Sequence, residues 1–450
     1  MFRRSLTGHL SDMPTLLPFA STLDCGRILR DVIGPVVAQG PILRRPRLGT
    51  LAERLHADDR ALRRVRELRH KHGDGPVLLR LPGRTIALVL AAEDVHRLLA
   101  ETPEPFAAAT GEKVGALTHF QPHAVLVTHS SLRAPRRELN EQALDSHQPV
   151  HHHGHRFVDV VQEELDGLHA TLGWNDFRAI WSRVVRRIVL GDAARDDVEL
   201  TAHLDRLRAD ANWAQFGPNH DELRTRFLSG VTQYVAKAEP GSLVESLDRR
   251  PQALDPAGQV PHWLFAFDAA GIALWRLFAV LGTRPSLLET IVAEARRPEA
   301  SPLLAQAGAA VQESLRLWPT TLVVLRQALE PTVWRDRIAP AGTEFAIVSS
   351  VFHRDDEALD FANDFEPAAW LDGRTDGPWP IIPFSEGPAA CPGRNVVLLT
   401  TSAAVSQVAA QYGIDVAPAT RARLAGPMPG TFNHADIRIG FWRHSGKTIV

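Results

Sequence analysis

The stretch "PFSEGPAACPGRNVVLLTTSAA" (383–404) constrains this chain more than any other. It sets one of only two cysteines in 450 residues between two glycines and directly before a helical run. Its skeleton is Phe384-x-x-Gly387-x-x-x-Cys391-x-Gly393. A helix that begins just after Cys391 turns free backbone N–H groups and a partial positive charge toward the sulfur. Both favour the thiolate, the form that binds metal. Gly387 and Gly393 allow a tight turn or a close approach to another body. Phe384 can cover the sulfur with apolar surface. A lone cysteine is by default a buried structural thiol, but the fixed spacing of four residues argues against that here.

Composition narrows the setting. Hydrophobic residues make up 44% and charged residues 23%, the balance of a soluble globular protein. A net charge of −2 offers no basic field for nucleic acid. Cys25 and Cys391 cannot build a disulfide framework, so a reducing, cytoplasmic compartment is the simplest setting. No segment reads as the roughly 20 apolar residues of a membrane span. The N-terminus, "MFRRSLTGHLSDMPTLLPFA", reads as neither signal nor anchor.

Along the chain, residues 1–50 are punctuated by proline and read as a segment wrapping the surface, with one large domain over 51–450. "LAERLHADDRALRRVRELRHKHG" (51–73) has helical period. "PVLLRLPGRTIALVLA" (76–91) reads as two strands around a Pro-Gly turn. Residues 103–128 lack periodicity and read as a long loop region. Helical patterns dominate 129–238 and return at 285–297 and 303–318. Short strands follow near "LVVLRQAL", "PTVW" and "EFAIVSS". A long helix over 395–413 ends at a glycine stop signal, and "DIRIGFWR" is strand-like. The fold class is mainly α with small β-sheets.

The cysteine skeleton resembles the ligand loop of the cytochrome P-450 superfamily of haem-thiolate enzymes, and other motifs fall in that family's order over roughly 50–445. Glu313 and Arg316 in "QESLRLWP" share a helix face. Alone such a pair is weak, but it resembles the family's structural Glu-x-x-Arg signature. His129 and Arg133 in "THSSLRAPRREL", and Arg326 in "TTLVVLRQ", match positions that hold haem propionates. The i, i+4 spacing puts His129 and Arg133 on one helix face. "HWLFAFDAAGIALWRLFAVLGTRP" (262–285) resembles the helix over the distal haem face. Registered on Pro285, it aligns Asp268 with the usual acid and Ala269 with the usual threonine; a register on Ala270-Gly271 would lose both acid and alcohol. A buried carboxylate needs a partner or a task. Two further departures stand out. Ala389 replaces a basic residue that often meets a propionate. Ala369 replaces the arginine that usually joins the Glu–Arg pair.

The resemblance implies a single-domain haem-thiolate fold, with haem b between the helix around Asp268 and the Cys391 loop. Cys391 would be the axial iron ligand, in the apolar surroundings that tune such a bond. It also implies a monooxygenase acting on a small molecule. Electrons would come from NAD(P)H through a reductase and a ferredoxin-type donor on the proximal face, where Arg136, Arg137 and Arg394 supply positive charge. Phe120, Phe265, Val324 and Phe432 are candidates for the substrate lining, each equally readable as an ordinary core side chain. Two alternatives stay open: a peroxide-using or rearranging haem-thiolate enzyme, which Ala269 favours, and a non-catalytic haem-binding sensor. The histidines of "HQPVHHHGH" (147–155) read as an exposed loop. "SGKT" near the C-terminus lacks the context of a phosphate loop.

Overall fold

A helix that is apolar on every face is stable in water only when surrounded by protein. The helix Val260–Leu281 satisfies that condition at the centre of the molecule, with residues from Trp263 to Leu281 buried on most of its circumference. In the computed structural model, which describes residues 15–129, 131–168, 170–296 and 304–444, the helical stretch Gln252–Leu281 is long and apolar enough to cross a membrane. This corrects the expectation that no such segment exists, although 78% of its most apolar window is buried inside the protein.

Its neighbours are fixed by specific contacts. Trp181, on the helix Trp174–Leu190, donates its indole N–H to Phe267 O at 2.8 Å. A Cβ at Gly271 would meet Trp181 Cδ1 at 2.5 Å, so only glycine lets the indole lie this close. Ser314, on the helix Ala305–Leu317, donates to Ala273 O at 2.9 Å. The helix Arg394–Gln411 completes the layer and buries Val396, Leu399, Ala404 and Val408.

The rest is mainly helical with small mixed sheets. A five-stranded sheet runs in the order Val77–Leu81, Arg84–Leu88, Glu344–Val348, Val323–Ala328, Phe106–Ala107. Its first two strands form the expected hairpin, closing with Leu81 opposite Arg84, and Gly83 takes the positive φ of the turn (77°). A second sheet pairs Tyr412–Val416 with Arg438–Arg443, and the latter with Ala170–Gly173. A third sheet joins Thr15–Leu16, Arg337–Ala339 and Thr332–Trp334.

Four expectations change. From residue 15 on, the N-terminal segment is no mere surface wrap: it is helical from Thr22 to Gln39 and buries Leu17, Ala20, Cys25, Ile28 and Val32 in the core. The charged helix over 51–73 is two helices, Pro46–Arg54 and Ala57–His72, broken where His56 turns to φ 48°. The loop region 103–128 holds a short strand and the helix Gly111–Leu117, capped by Thr110, whose hydroxyl accepts from the Lys113 N–H. Gly413 is not a helix stop. It lies inside a strand, where a Cβ would meet the Trp442 ring at 2.1 Å. The "SGKT" stretch lies outside the described residues.

Candidate active site

The cysteine loop is anchored from several elements. The Cys391 N–H donates to Phe384 O at 2.9 Å. Arg137 donates to Ala390 O at 2.7 Å and Ser146 to Pro392 O at 2.7 Å. His96 meets Glu386 at 2.9 Å, tying the loop to the helix Ala92–Ala100. Gly387 has φ 67°, and a Cβ there would strike Leu99 O at 2.2 Å, so this glycine is required. Gly393 has φ −92°, and a Cβ would meet only Leu144 at 3.9 Å. Its place is therefore not set by the protein's own packing.

Cys391 is partly exposed, while the protein around it is dense enough to desolvate the thiol. Burial pushes the thiol up; the Gly393 N–H, Arg137 and Arg394 oppose that. The N–H contact comes from the residue that caps the helix Arg394–Gln411, so the helix terminus does face the sulfur.

Three cations converge, none of them ion-paired to a carboxylate among the described residues. Lys113 Nζ donates to Ala108 O at 2.9 Å and to Leu325 O at 3.2 Å. Arg326, buried, donates to Thr102 Oγ1 at 2.8 Å and to the same Leu325 carbonyl at 2.9 Å. Arg133 leaves its buried Nε without a partner. Burial pushes Lys113 down to about 7, and Arg326 and Arg133 repel it further, with Glu344 acting the other way. Burial takes Arg326 to about 10, again with repulsion from Arg133. Desolvated cations facing one another, with Glu344 the one carboxylate acting on Lys113 and no ion pair made, form a site for anionic groups.

Lys113 was not foreseen. It sits on a seven-residue helix, too short to show a period. His129 falls away from the group. It is exposed, and the helix starts only at Arg133, so the shared-face argument does not hold.

On the central helix, Asp268 is fully engaged. Arg208 donates to it at 2.6 Å and Arg178 at 3.3 Å. Burial alone would raise this carboxyl, but Arg208 and Arg178 outweigh it and hold the group down at about 2. Asp268 therefore ties the central helix to the helices Trp174–Leu190 and Val198–Ala211. Phe265 packs against Phe120 with ring centroids 5.3 Å apart and the rings tilted by 58°. Phe432 meets Trp318 at 4.9 Å and lines a cavity. Val324 packs toward the apolar cluster around Phe106 and Phe345.

Glu313 and Arg316 form a fully buried bidentate pair at 2.8 and 2.6 Å. The usual arginine is absent, as Ala369 indicates, but Trp370 fills its part by donating its indole N–H to Glu313 at 2.9 Å. Arg136 is not available to a partner: it is buried and donates to Leu254 O and Thr128. Arg137 is partly buried and bound to Glu141, leaving Arg394 as the exposed member of that set. The histidine stretch is a hydrogen-bonded latch rather than an open loop. His151 is buried against Ala143 O at 3.1 Å, and His152 bonds Asp145 at 2.6 Å.

Comparison with known proteins agrees with this architecture. The family model for cytochrome P450 matches residues 291–425. Cytochrome P450 4d1 of Drosophila melanogaster is 28% identical over 189 residues, covering 38% of this chain and 37% of that protein. Cyclooctat-9-en-7-ol 5-monooxygenase of Streptomyces melanosporofaciens is 27% identical over 203 residues, covering 41% and 44%. The chain thus matches less than half the length of these curated relatives. Among solved structures, retinoic acid bound cyanobacterial CYP120A1 superposes with a TM-score of 0.66 at 16% identity, covering 84% of this chain and 94% of that one. CYP175A1 from Thermus thermophilus gives 0.63 at 18%, covering 80% and 89%. The fold is that of these solved cytochrome P450 structures. The stretch that holds Glu313, Arg316 and the Cys391 loop lies within the match to the cytochrome P450 family model.

Haem is typical of this family, and the residues present fit it. A partly exposed thiol on a glycine-shaped loop suits an iron ligand, and Lys113, Arg133 and Arg326, none of them ion-paired among the described residues, suit the carboxylates of a porphyrin.

Proposed function

We propose that this chain is a haem-thiolate monooxygenase. It would insert one oxygen atom from dioxygen into a small organic substrate, with electrons from NAD(P)H through a reductase and a ferredoxin-type donor. The observation that supports it most is the Cys391 sulfur under the Gly393 N–H, on a loop braced by Arg137, Ser146 and His96. Bound haem b supplies oxygen activation, which thiolate donation promotes. The chain's own residues do the rest. Cys391 would supply the thiolate that holds the haem iron, with Phe384 beside it and Gly387 and Gly393 shaping the loop. Lys113, Arg133 and Arg326 would hold the propionates. Glu313 and Arg316 brace the core, while Phe120, Phe265 and Phe432 shape the apolar space. The donor docks on the proximal face near Arg394, and the protein works in the cytoplasm as one haem-binding unit. Turnover with NADPH and a surrogate ferredoxin and reductase tests this; dependence on peroxide alone would overturn it.

A second reading, a peroxide-using enzyme, is favoured by a specific arrangement. Ala269 offers no hydroxyl, and both Asp268 oxygens are occupied by guanidinium groups. Ala269→Thr should improve the coupling of NADPH consumption to product for substrates lacking a hydroxyl. Asp268→Asn should slow oxygen-driven turnover and spare peroxide-driven turnover. If both drives are unaffected, Asp268 is solely a structural ion. As such an ion it stabilises the fold by roughly 2 kcal/mol at neutral pH. Because its folded pKa is depressed, that stability is present above pH ~4 and is lost as pH falls toward ~2. Urea midpoints of wild type and Asp268→Asn across that window measure it.

Removing a propionate cation should loosen haem. A hydrogen bond to a charged group is worth about 1.5–3 kcal/mol, so Arg326→Ala or Lys113→Met should speed haem transfer to apomyoglobin by roughly tenfold or more. The thiolate spectrum should stay intact. Unchanged transfer in both variants would remove these residues from the haem site.

A further inference from the structure

The turn between the helices Arg133–Ala143 and Gly154–Leu165 brings a carboxylate, an imidazole and a hydroxyl into series. His152 Nδ1 lies 2.6 Å from Asp145 Oδ2, and the Ser246 hydroxyl lies 3.1 Å from His152 Nε2. In the neutral imidazole the proton sits on Nδ1, facing the carboxylate, and the lone pair on Nε2 faces the hydroxyl. That tautomer is the one a general base needs. Asp145 also accepts the His152 backbone N–H at 2.8 Å. Burial works to raise this carboxyl, but the His152 N–H and imidazole outweigh it and hold the group below its ordinary value.

Each member is held in place. The His152 ring packs on His151, with centroids 4.4 Å apart and planes within 22°, and on His153 at 4.0 Å. His151 is buried and both its nitrogens are taken, Nε2 by Ala143 O at 3.1 Å and Nδ1 by the His153 N–H at 3.0 Å. Asp145, His151 and His152 lie close enough together for a metal ion, but His151 has no lone pair left to give one. The cluster is therefore a frame for His152. Ser246 lies on the segment 241–248, where the Leu243 and Val244 N–H groups donate to Ile188 O at 2.9 Å and Val189 O at 3.1 Å. Leu243, Val244 and Leu247 are buried, whereas Ser246 is partly exposed and the His152 side chain is 52% exposed. The Leu247 N–H makes no hydrogen bond among the described residues. The amide that follows a nucleophile is a recurrent oxyanion donor.

We propose that Ser246, His152 and Asp145 form a hydrolytic site for short-chain carboxylic esters, a second activity independent of the haem. Ser246 Oγ bonds to the acyl carbon as its proton passes to His152 Nε2. The ester C–O bond then breaks, and the same proton leaves with the alcohol. Water adds to the acyl-serine, giving a proton to His152; the acid departs and the proton returns to Ser246. The net change is ester plus water to acid plus alcohol. Ser246 and His152 are the catalytic residues, and Asp145 positions the imidazole. A base half open to solvent would leave a long acyl chain in water, so the site suits a short one.

The test uses the haem-loaded protein, a fluorophosphonate probe and para-nitrophenyl butyrate. The probe should attach to Ser246, as peptide masses would show, and Ser246→Ala should lose the label and at least about tenfold in ester hydrolysis. His152→Gln keeps the hydroxyl and should slow labelling by about 100-fold or more. Asp145→Asn should slow it too, with part of the rate restored in Asp145→Glu. The proposal is overturned if the wild-type label falls elsewhere or nowhere, an outcome that needs no variant to fold. It is also overturned if His152→Gln labels as fast as wild type, or if Ser246→Ala hydrolyses the ester unchanged, since loose histidines would then be the cause. The reduced carbon monoxide spectrum should match wild type in all four variants, which separates loss of the site from loss of the fold.

Discussion

Cys391→His abolishes the red-shifted Soret band of the reduced carbon monoxide complex, while Cys25→Ser leaves it unchanged. The size of the expected effect follows from position. Cys25 is the one other thiol in the sequence. It is buried against Ala20 O at 3.8 Å, in the cluster formed with Ala61, Val65 and Leu68. There it behaves as a small apolar side chain. The Cys391 loop instead packs on the helices Ala92–Ala100 and Arg133–Ala143 through Glu386 and Ala390. No rearrangement short of unfolding brings Cys25 there. Haem content should fall less than the band, because Lys113, Arg133 and Arg326 are untouched. Spectra of the two variants at equal haem loading check this. A surviving band in Cys391→His would contradict the ligand assignment outright.

What the sequence discloses here depends on how local each cause is. The cysteine loop is readable because its requirements fall within ten residues. Gly387 must take a positive φ against Leu99, and the helix must start where its N–H reaches sulfur. The hairpin at 77–88 and the apolar central helix are readable for the same reason: period and turn chemistry are local properties. Lys113 is not readable, because its significance comes from sharing the Leu325 carbonyl with Arg326, far along the chain. The N-terminal segment misleads because its prolines suggest a surface strap, whereas Pro35 and Pro46 sit at helix starts, where proline is tolerated. His129 misleads in the opposite way. A helical spacing was read across a helix boundary that falls at Arg133.

The buried Glu313–Arg316 pair carries the other large expected effect. Arg316 donates to both Glu313 oxygens and to the carbonyls of His353, Phe361, Ala362 and Asp364. It thereby fastens the segment 353–364 onto the helix Ala305–Leu317. Glu313 in turn accepts from the Glu366 N–H at 2.8 Å and from Trp370 at 2.9 Å. Truncating either partner strands a charge in the core, which costs about 3–5 kcal/mol, and Arg316→Leu also orphans those carbonyls. Most of a typical domain's stability of about 5–15 kcal/mol would be gone. Arg316→Leu should therefore yield little soluble, haem-loaded protein. Trp370→Phe removes one donor and keeps the ring, so it should cost about 1–3 kcal/mol and leave the thiolate spectrum normal. Its value lies in the comparison with Ala369→Arg, which places the family's usual residue beside the pair. Ala369 is fully buried against Leu359, Phe361 and Ala362, with no room for a guanidinium. Ala369→Arg should destabilise even in the Trp370→Phe background, as urea midpoints of the single and double variants would show. If the double variant recovers wild-type stability, the indole is a mere filler, and the arginine position is still open in this fold.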